Sequence, residues 1–271
     1  MEKNMKNCLT IAGSDCSGGA GIQADIKTFS ALGCFGMSAV TSVVAENTCG
    51  VISMQNIDPK IVANQIDAVF RDIDVAAVKL GMLPSTEIIR TVAEKLKEYK
   101  PPFVVCDPVM VATSGDSLSG KGTADALKEY IFPLADLVTP NMPEAAQLSG
   151  LPVNDINDFD AAAGKILSFG ARSLLIKGGH FEGDAVDILY ADGESTCFCC
   201  ERINTENTHG TGCTLSSAIA ACLANGMDIP TAVEAAKDYI TSAIANADKL
   251  SVGHGHGPTN HFFDYYNMKG I

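Results

Sequence analysis

Residues 207–214, NTHGTGCT, set two glycines, three threonines and a cysteine directly ahead of an apolar, small-residue run at 215–223. Gly210 and Gly212 let the chain turn tightly, so that successive N–H groups converge on one point. The start of the helix predicted by the following run adds its positive dipole end, giving an anion cradle built of main chain. Cys213 stands at its mouth. A thiol there is expected to have its pKa lowered toward neutrality, so it could accept a proton as well as line a pocket. A glycine turn before a core helix with a buried cysteine has the same pattern. Other residues suited to phosphate chemistry lie far away in the chain. Lys177, between an apolar run and Gly178-Gly179, is placed to pair with phosphates, although a surface lysine would also fit there. Asp107 and Glu144 are carboxylates that, with water and phosphate oxygens, could supply the hard ligands magnesium takes. Asn141 and Glu144 also fit a helix N-cap and its first-turn acid.

These residues need a scaffold that brings them together, and the hydrophobic pattern supplies one. Short apolar or β-branched runs at 8–12, 38–45, 51–57, 75–80, 103–106, 136–138 and 173–176 read as strands. They alternate with amphipathic segments at 59–71, 85–99, 123–132 and 159–169, and with one carrying Ile22, Ile26 and Phe29 on a single face. Residues 184–190 and 195–203 read as a hairpin around Asp192-Gly193, and helices at 211–224 and 230–248 close the domain. This alternation predicts an α/β fold, one mostly parallel sheet with helices on both faces and right-handed crossovers. No repeat, linker or compositional shift divides residues 1–271, so a single domain is expected. In a parallel sheet the residues just after each strand share one edge, where open α/β folds bind ligands. That edge would gather Gly13-Ser14-Asp15, Glu46-Asn47, Gly81-Met82, Asp107-Pro108, Pro140-Asn141 and Lys177–His180.

Competing motifs are weaker. Gly19-Ala20-Gly21-Ile22-Gln23-Ala24 fits a loose dinucleotide fingerprint, with Glu46 as a ribose-binding acid, but its loop is longer than that turn needs. Residues 115–122 nearly spell a phosphate loop around Gly120-Lys121. Gly122 stands where a hydroxyl is required, and 112–119 reads better as a lid. Cys197 and Cys200 have CxxC spacing, with His209 and Cys213 downstream, yet no second pair completes a zinc site.

Composition narrows the class. A formal net charge of −13 argues against binding nucleic acid through a broad basic surface. No apolar stretch is long enough to span a bilayer, and residues 1–6 do not resemble a secretory leader. The ten cysteines are therefore expected to be reduced thiols of a cytoplasmic protein.

Taken together, the motifs resemble the ribokinase superfamily, and more narrowly the hydroxymethylpyrimidine/phosphomethylpyrimidine kinases of thiamine biosynthesis. The likeness rests on residues 10–15 (TIAGSD), 17–25 (SGGAGIQAD), 27–29 (KTF), 81–83 (GML), 107–110 (DPVM), 139–141 (TPN) with Glu144, 177–180 (KGGH), 207–213 and 252–255 (VGHG), and covers nearly the whole chain. It implies a ribokinase-like three-layer α/β/α fold and ATP-dependent, Mg2+-assisted phosphorylation. The substrates would be the hydroxymethyl group of 4-amino-5-hydroxymethyl-2-methylpyrimidine and then its monophosphate. The resemblance further implies that Gly210, Thr211, Gly212 and Cys213 hold the transferred phosphoryl group, with Cys213 as base. Gly13, Asp25, Glu46, Met82 and Val109 would line the pyrimidine pocket. Asn141, Lys177 and Thr211 would contact the nucleotide, and Asp107 and Glu144 the metal. A homodimer is implied, and no nucleic-acid or membrane partner. The family commonly carries glutamine where this chain has Glu46. Related pyridoxal kinases share the fold and the glycine-cysteine loop, so vitamin B6 phosphorylation is the nearest alternative. A pyrimidine or nucleotide sensor and an NAD-dependent dehydrogenase are more distant ones.

Overall fold

The computed structural model describes residues 5–110, 120–179 and 184–265. The expected lid at 112–119, His180 and most of the phosphate-loop-like run lie outside the described residues.

Nine strands form one sheet. They are β1 (Lys6–Gly13), β2 (Cys34–Asn47), β3 (Gly50–Asn56), β4 (Ala77–Leu80), β5 (Val104–Cys106), β6 (Leu137–Val138), β7 (Ser173–Lys177), β8 (Ala185–Ala191) and β9 (Glu194–Cys200). Their spatial order is β3-β2-β1-β4-β5-β6-β7-β8-β9. The six from β2 to β7 are parallel; β3 pairs antiparallel with β2 at one edge, and at the other β8 pairs antiparallel with β7 and β9 with β8. Central strands such as β1 and β4 are buried on both faces, as their continuous apolar runs require. The β8–β9 turn falls at Asp192 and Gly193, both at positive φ (51° and 82°), the geometry a two-residue hairpin needs.

Helices α1 (Gly21–Ala31), α2 (Pro59–Phe70), α3 (Thr86–Tyr99), α4 (Thr123–Ala126), α5 (Met142–Ser149), α6 (Phe159–Leu167), α7 (Thr211–Ala224) and α8 (Ile229–Ala245) cover both faces. Ile66, Ile88, Val92, Phe159 and Ile166 from α2, α3 and α6 fill the core on one face. Phe29, Ile219, Val233 and Ile240 from α1, α7 and α8 fill the other. Each such fully buried side chain contributes about 1.5–3 kcal/mol.

The expected helix at 123–132 is shorter than its pattern suggested. After Ala126 the chain widens into a π turn, Leu127–Ile131, and tightens into a 3-10 turn, Phe132–Leu134. Pro133 has no N–H to carry the α ladder onward, so the helix cannot continue. Helix α5 was foreseen only as a start, with Asn141 as N-cap and Glu144 as first-turn acid, and its extent was not. It is only eight residues long and owes its start to a capping box, in which Asn141 accepts from Glu144 N–H and Glu144 accepts from Asn141 N–H. The carboxylate considered as a metal ligand thus also organises a helix end.

Candidate active site

Gly210 caps α7 with φ at 78°, and a methyl group there would run into the main-chain carbonyl of Gly19. Only glycine permits both the turn and that approach. Thr211 is tied back to Thr208 O through its N–H (3.2 Å) and its hydroxyl (2.6 Å), and Thr214 N–H bonds Gly210 O. The N–H groups of Gly212 and Cys213 have no acceptor among the described residues. They are the open donors of a 14-residue helix, which is the anion cradle the sequence suggested.

A charged cluster faces them. Lys177 Nζ bonds Asp107 Oδ1 at 2.8 Å, and Thr139 and Ser216 hydroxyls also donate to Asp107, at 3.1 and 3.3 Å. A methyl group on Gly212 would lie 3.3 Å from Lys177 Nζ and 3.5 Å from Asp107 Oδ2, so this pair sits against the cradle. Burial works against charge on both partners, but their mutual attraction prevails. Asp107 is held below, and Lys177 above, its ordinary value. Glu144, 7 % exposed, is pushed up to about 7 by burial and the nearby Asp107, with Lys177 and the main-chain amides of Asn141 and Met110 opposing. Asp107 and Glu144 line the same cleft as the cradle. Two carboxylate oxygens beside space for a phosphate are a donor set that suits magnesium.

Beneath the cradle lies an ion pair the sequence did not suggest. Lys79 Nζ bonds both oxygens of Asp25, at 2.8 and 2.9 Å, and both side chains are fully buried. Thr10 and Ser217 hydroxyls complete the shell of Asp25, each at 2.6 Å. Burial would discharge Lys79, yet Asp25, with Cys213 and Asp107, keeps its pKa raised. Asp25 therefore does not line the pyrimidine pocket as expected. It sits one helical turn from Ile22 and Phe29 on the buried face of α1, and its charge is spent on Lys79. The thiol also departs from expectation. Cys213 is pushed up to about 11, chiefly by burial and then by Asp25 and Asp107, against Lys79 and the Gly21 N–H that points at its sulfur. Helix dipole and lysine are outweighed by desolvation.

The cleft runs along the strand ends from β2 to β9. Gly13, Val44, Glu46, Met82 and Val109 line it on the β2 side. Here Asp15 accepts from Ser17, Gly19, Ala20 and His209, its His209 Nε2 contact being 2.8 Å, and is held down at about 2 although burial opposes this. Glu46 is pushed up to about 7 by burial and by the charge of Asp15, with His209 opposing. Asn141, Lys177, Thr211, Gly210 and Gly212 line the middle. Beyond them Ile240, Thr241 and Ile244 of α8 form a mainly apolar wall. Lys237, also on α8, bonds Asp187 Oδ2 at 2.6 Å, while Asp187 Oδ1 accepts from Gly178 N–H at 3.0 Å. That pair braces the loop carrying Lys177.

All the expected site residues except Asp25 therefore meet in one cleft. Lys79, and Lys237 with Asp187, were missed, and Asp15 and the loop of His209 were placed at this edge without their pairing. A lysine inside an apolar strand, 78 to 80, was the available signal for the first. The pairings of the others join residues up to 194 positions apart, which no local pattern reveals. Cys197 and Cys200 stand three apart on β9, on opposite faces of a strand, so they cannot share a metal; Cys197 is exposed and Cys200 lines the cleft.

The comparisons with known proteins agree with this geometry. The phosphomethylpyrimidine kinase family model matches residues 15–260. A hydroxymethylpyrimidine/phosphomethylpyrimidine kinase of Rhizobium meliloti is 48% identical over 260 residues, covering 95% of this chain and 97% of the relative. A thiamine biosynthesis bifunctional protein of Geobacter sulfurreducens is 51% identical over 254 residues, and the chain spans about half (51%) of its length. Among solved structures, the ADP complex of Bacillus subtilis pyridoxal kinase superposes with a TM-score of 0.89 at 40% identity, covering 97% of this chain and 100% of that one. With a family model over most of its length and a full-length relative at this identity, the chain belongs to the phosphomethylpyrimidine kinase family.

Proposed function

We propose that this protein transfers the terminal phosphoryl group of ATP to the hydroxymethyl group of 4-amino-5-hydroxymethyl-2-methylpyrimidine and then to the resulting monophosphate, serving thiamine biosynthesis. The observation that carries this reading is the pair of free N–H groups at Gly212 and Cys213, facing Lys177 and Asp107 midway along one cleft. The nucleotide takes the side walled by Ile240, Thr241 and Ile244, with Asn141 and Thr211 beside its phosphates. The aminopyrimidine takes the side lined by Gly13, Glu46, Met82 and Val109. The hydroxymethyl group then meets the terminal phosphate at the cradle.

Phosphoryl transfer asks for positioning and charge neutralisation more than covalent help. The Gly212 and Cys213 amides and Lys177 receive the negative charge of the migrating group, and their fixed placement means no reorganisation is needed as that charge develops. Asp107 and Glu144 would hold Mg2+, which supplies further neutralisation of phosphate charge. Because the Cys213 thiol is neutral at rest, we assign it a relay. Its sulfur takes the hydroxyl proton while its own proton passes to an oxygen of the transferred group, so no charge builds on sulfur.

Pyridoxal phosphorylation is the second reading, supported by the similarity to the pyridoxal kinase structure. Two further features belong to the proposal. Val43, Ile52 and Met54 are exposed on β2 and β3, as a homodimer contact would need. Among the described residues no helix is long and apolar enough to cross a membrane, and we place the enzyme in the cytoplasm with its small-molecule substrates. Turnover measured side by side on the aminopyrimidine alcohol, its monophosphate and pyridoxal tests the assignment. ADP release dependent on the first two supports it, and release with pyridoxal alone would overturn it.

A further inference from the structure

Glu46 lies at a break in the β2–β3 ladder. Ala45 pairs with Ser53 but Glu46 pairs with Val51, so Ile52 is left over as a bulge. Bulges twist a strand pair and re-aim neighbouring side chains, often beside active sites. Here the carboxyl is half-buried on the cleft wall, and Cys16 Sγ donates to the Glu46 main-chain carbonyl at 3.0 Å. One carboxylate oxygen each from Glu46 and Asp15 and a ring nitrogen of His209 lie within 4.8 Å of one another.

The two carboxyl groups are not equivalent. Asp15 takes five hydrogen bonds, from Ser17 N–H and Oγ, Gly19, Ala20 and His209, so it stays ionised. Glu46 receives none among the described residues. A metal ion here would have to displace the donors that fill Asp15, whereas a proton on Glu46 displaces nothing. The other charged or titratable groups around it are few. Lys27 of α1 bonds the Gly18 carbonyl at 2.7 Å, and Cys16 presents a thiol. His254 and His256, on the segment packed against Thr48, are exposed. Val51, opposite on β3, has no charge. The persistent negative charge facing Glu46 is therefore that of Asp15, and two neighbouring carboxyl groups pushed apart in this way tend to divide into an anion and an acid.

We propose that Glu46 captures the pyrimidine as a carboxylic acid, giving its proton to a ring nitrogen while its carbonyl oxygen accepts from the adjacent exocyclic amine. This rests on the reading of the cleft as an aminopyrimidine site. The proton comes from solvent and belongs to the pair as a unit, whichever partner carries it. The arrangement selects rings that present an acceptor beside a donor. A pyridine ring without the amine leaves one oxygen of Glu46 unpaired, which a buried polar group tolerates poorly.

The test is calorimetric titration of the whole chain with the aminopyrimidine alcohol, in two buffers of different ionisation enthalpy, across pH 6.5 to 8.5. Proton uptake should approach one per ring bound at pH 8.5, and affinity should fall about twentyfold over this range, as expected for one required proton on a group near neutrality. Glu46→Gln, whose amide donates and accepts without a proton, should show neither effect. Equal uptake in both proteins, a flat affinity profile in the wild type, or no binding at any pH would overturn the inference. The full binding signature without any ADP formation would uphold the inference and sink the kinase reading.

Discussion

At the Gly210–Cys213 end of the cleft the lysines are paired with carboxylates, Lys177 with Asp107 and Lys79 with Asp25, and the open donors are main-chain amides. At the Glu46 end the reverse holds: Asp15 is saturated, while the half-exposed Glu46 side chain accepts no hydrogen bond among the described residues and is pushed up to about 7 by burial and Asp15. The difference separates two tasks. A migrating phosphoryl group has the same charge whatever its acceptor, so its site can be rigid and made of backbone. A ring must be told from similar rings, which calls for side-chain donors and acceptors.

The largest effect that could break this contrast is Gly210→Ala. A side chain at φ 78°, directed into the Gly19 carbonyl, should cost about 3 kcal/mol or more, read as a lower urea midpoint. An unchanged midpoint would show that the cradle is not rigid. Next is Lys177→Met, which should lower kcat about a thousandfold with a smaller change in the KM for the pyrimidine; a change confined to KM would move Lys177 out of the chemistry. Cys213→Ala should retain nucleotide binding and lose about a hundredfold in turnover in a coupled ADP assay. Near-wild-type rates would remove Cys213 from proton transfer and leave the amides as the working part of the loop.

The smallest effect concerns stability. Glu46 has its folded pKa raised to about 7, above its unfolded value, so the folded state holds the proton more tightly. Its contribution is fully favourable below the unfolded pKa and is lost as pH rises through 7. Glu46→Gln should therefore raise Tm at pH 8.5 and leave it nearly unchanged at pH 4, below the unfolded pKa. Asp15, held at about 2, has the opposite sign, and its contribution is lost only as pH falls through 2. An equal Tm change at both pH values would show that Glu46 does not titrate near neutrality.

How much of this was legible beforehand depends on range. Helix α7 and the Asp192-Gly193 turn were read at their actual positions, because cap, glycine and periodicity are local signals. The gathering of Asp107, Lys177 and Gly210–Cys213 followed from parallel topology, which puts strand ends on one edge. Asp25 was misplaced because its motif outweighed its helical face; the spacing from Ile22 already put it toward the core. The direction of the Cys213 shift could not be read, since it depends first on how deeply the thiol is buried and then on how far Lys79, Asp25 and Asp107 sit from the sulfur. The β3 bulge that re-aims the Glu46 wall has no sequence signature, as neither glycine nor proline occupies it.

The central claim is that the α7 cradle receives the migrating phosphoryl group. A crystal structure with a non-hydrolysable ATP analogue and the aminopyrimidine alcohol tests it directly. The account expects the terminal phosphate within hydrogen-bond distance of the Gly212 and Cys213 amides and of Lys177, with the substrate hydroxyl facing it. A terminal phosphate seated elsewhere in the cleft, away from those amides, would contradict it.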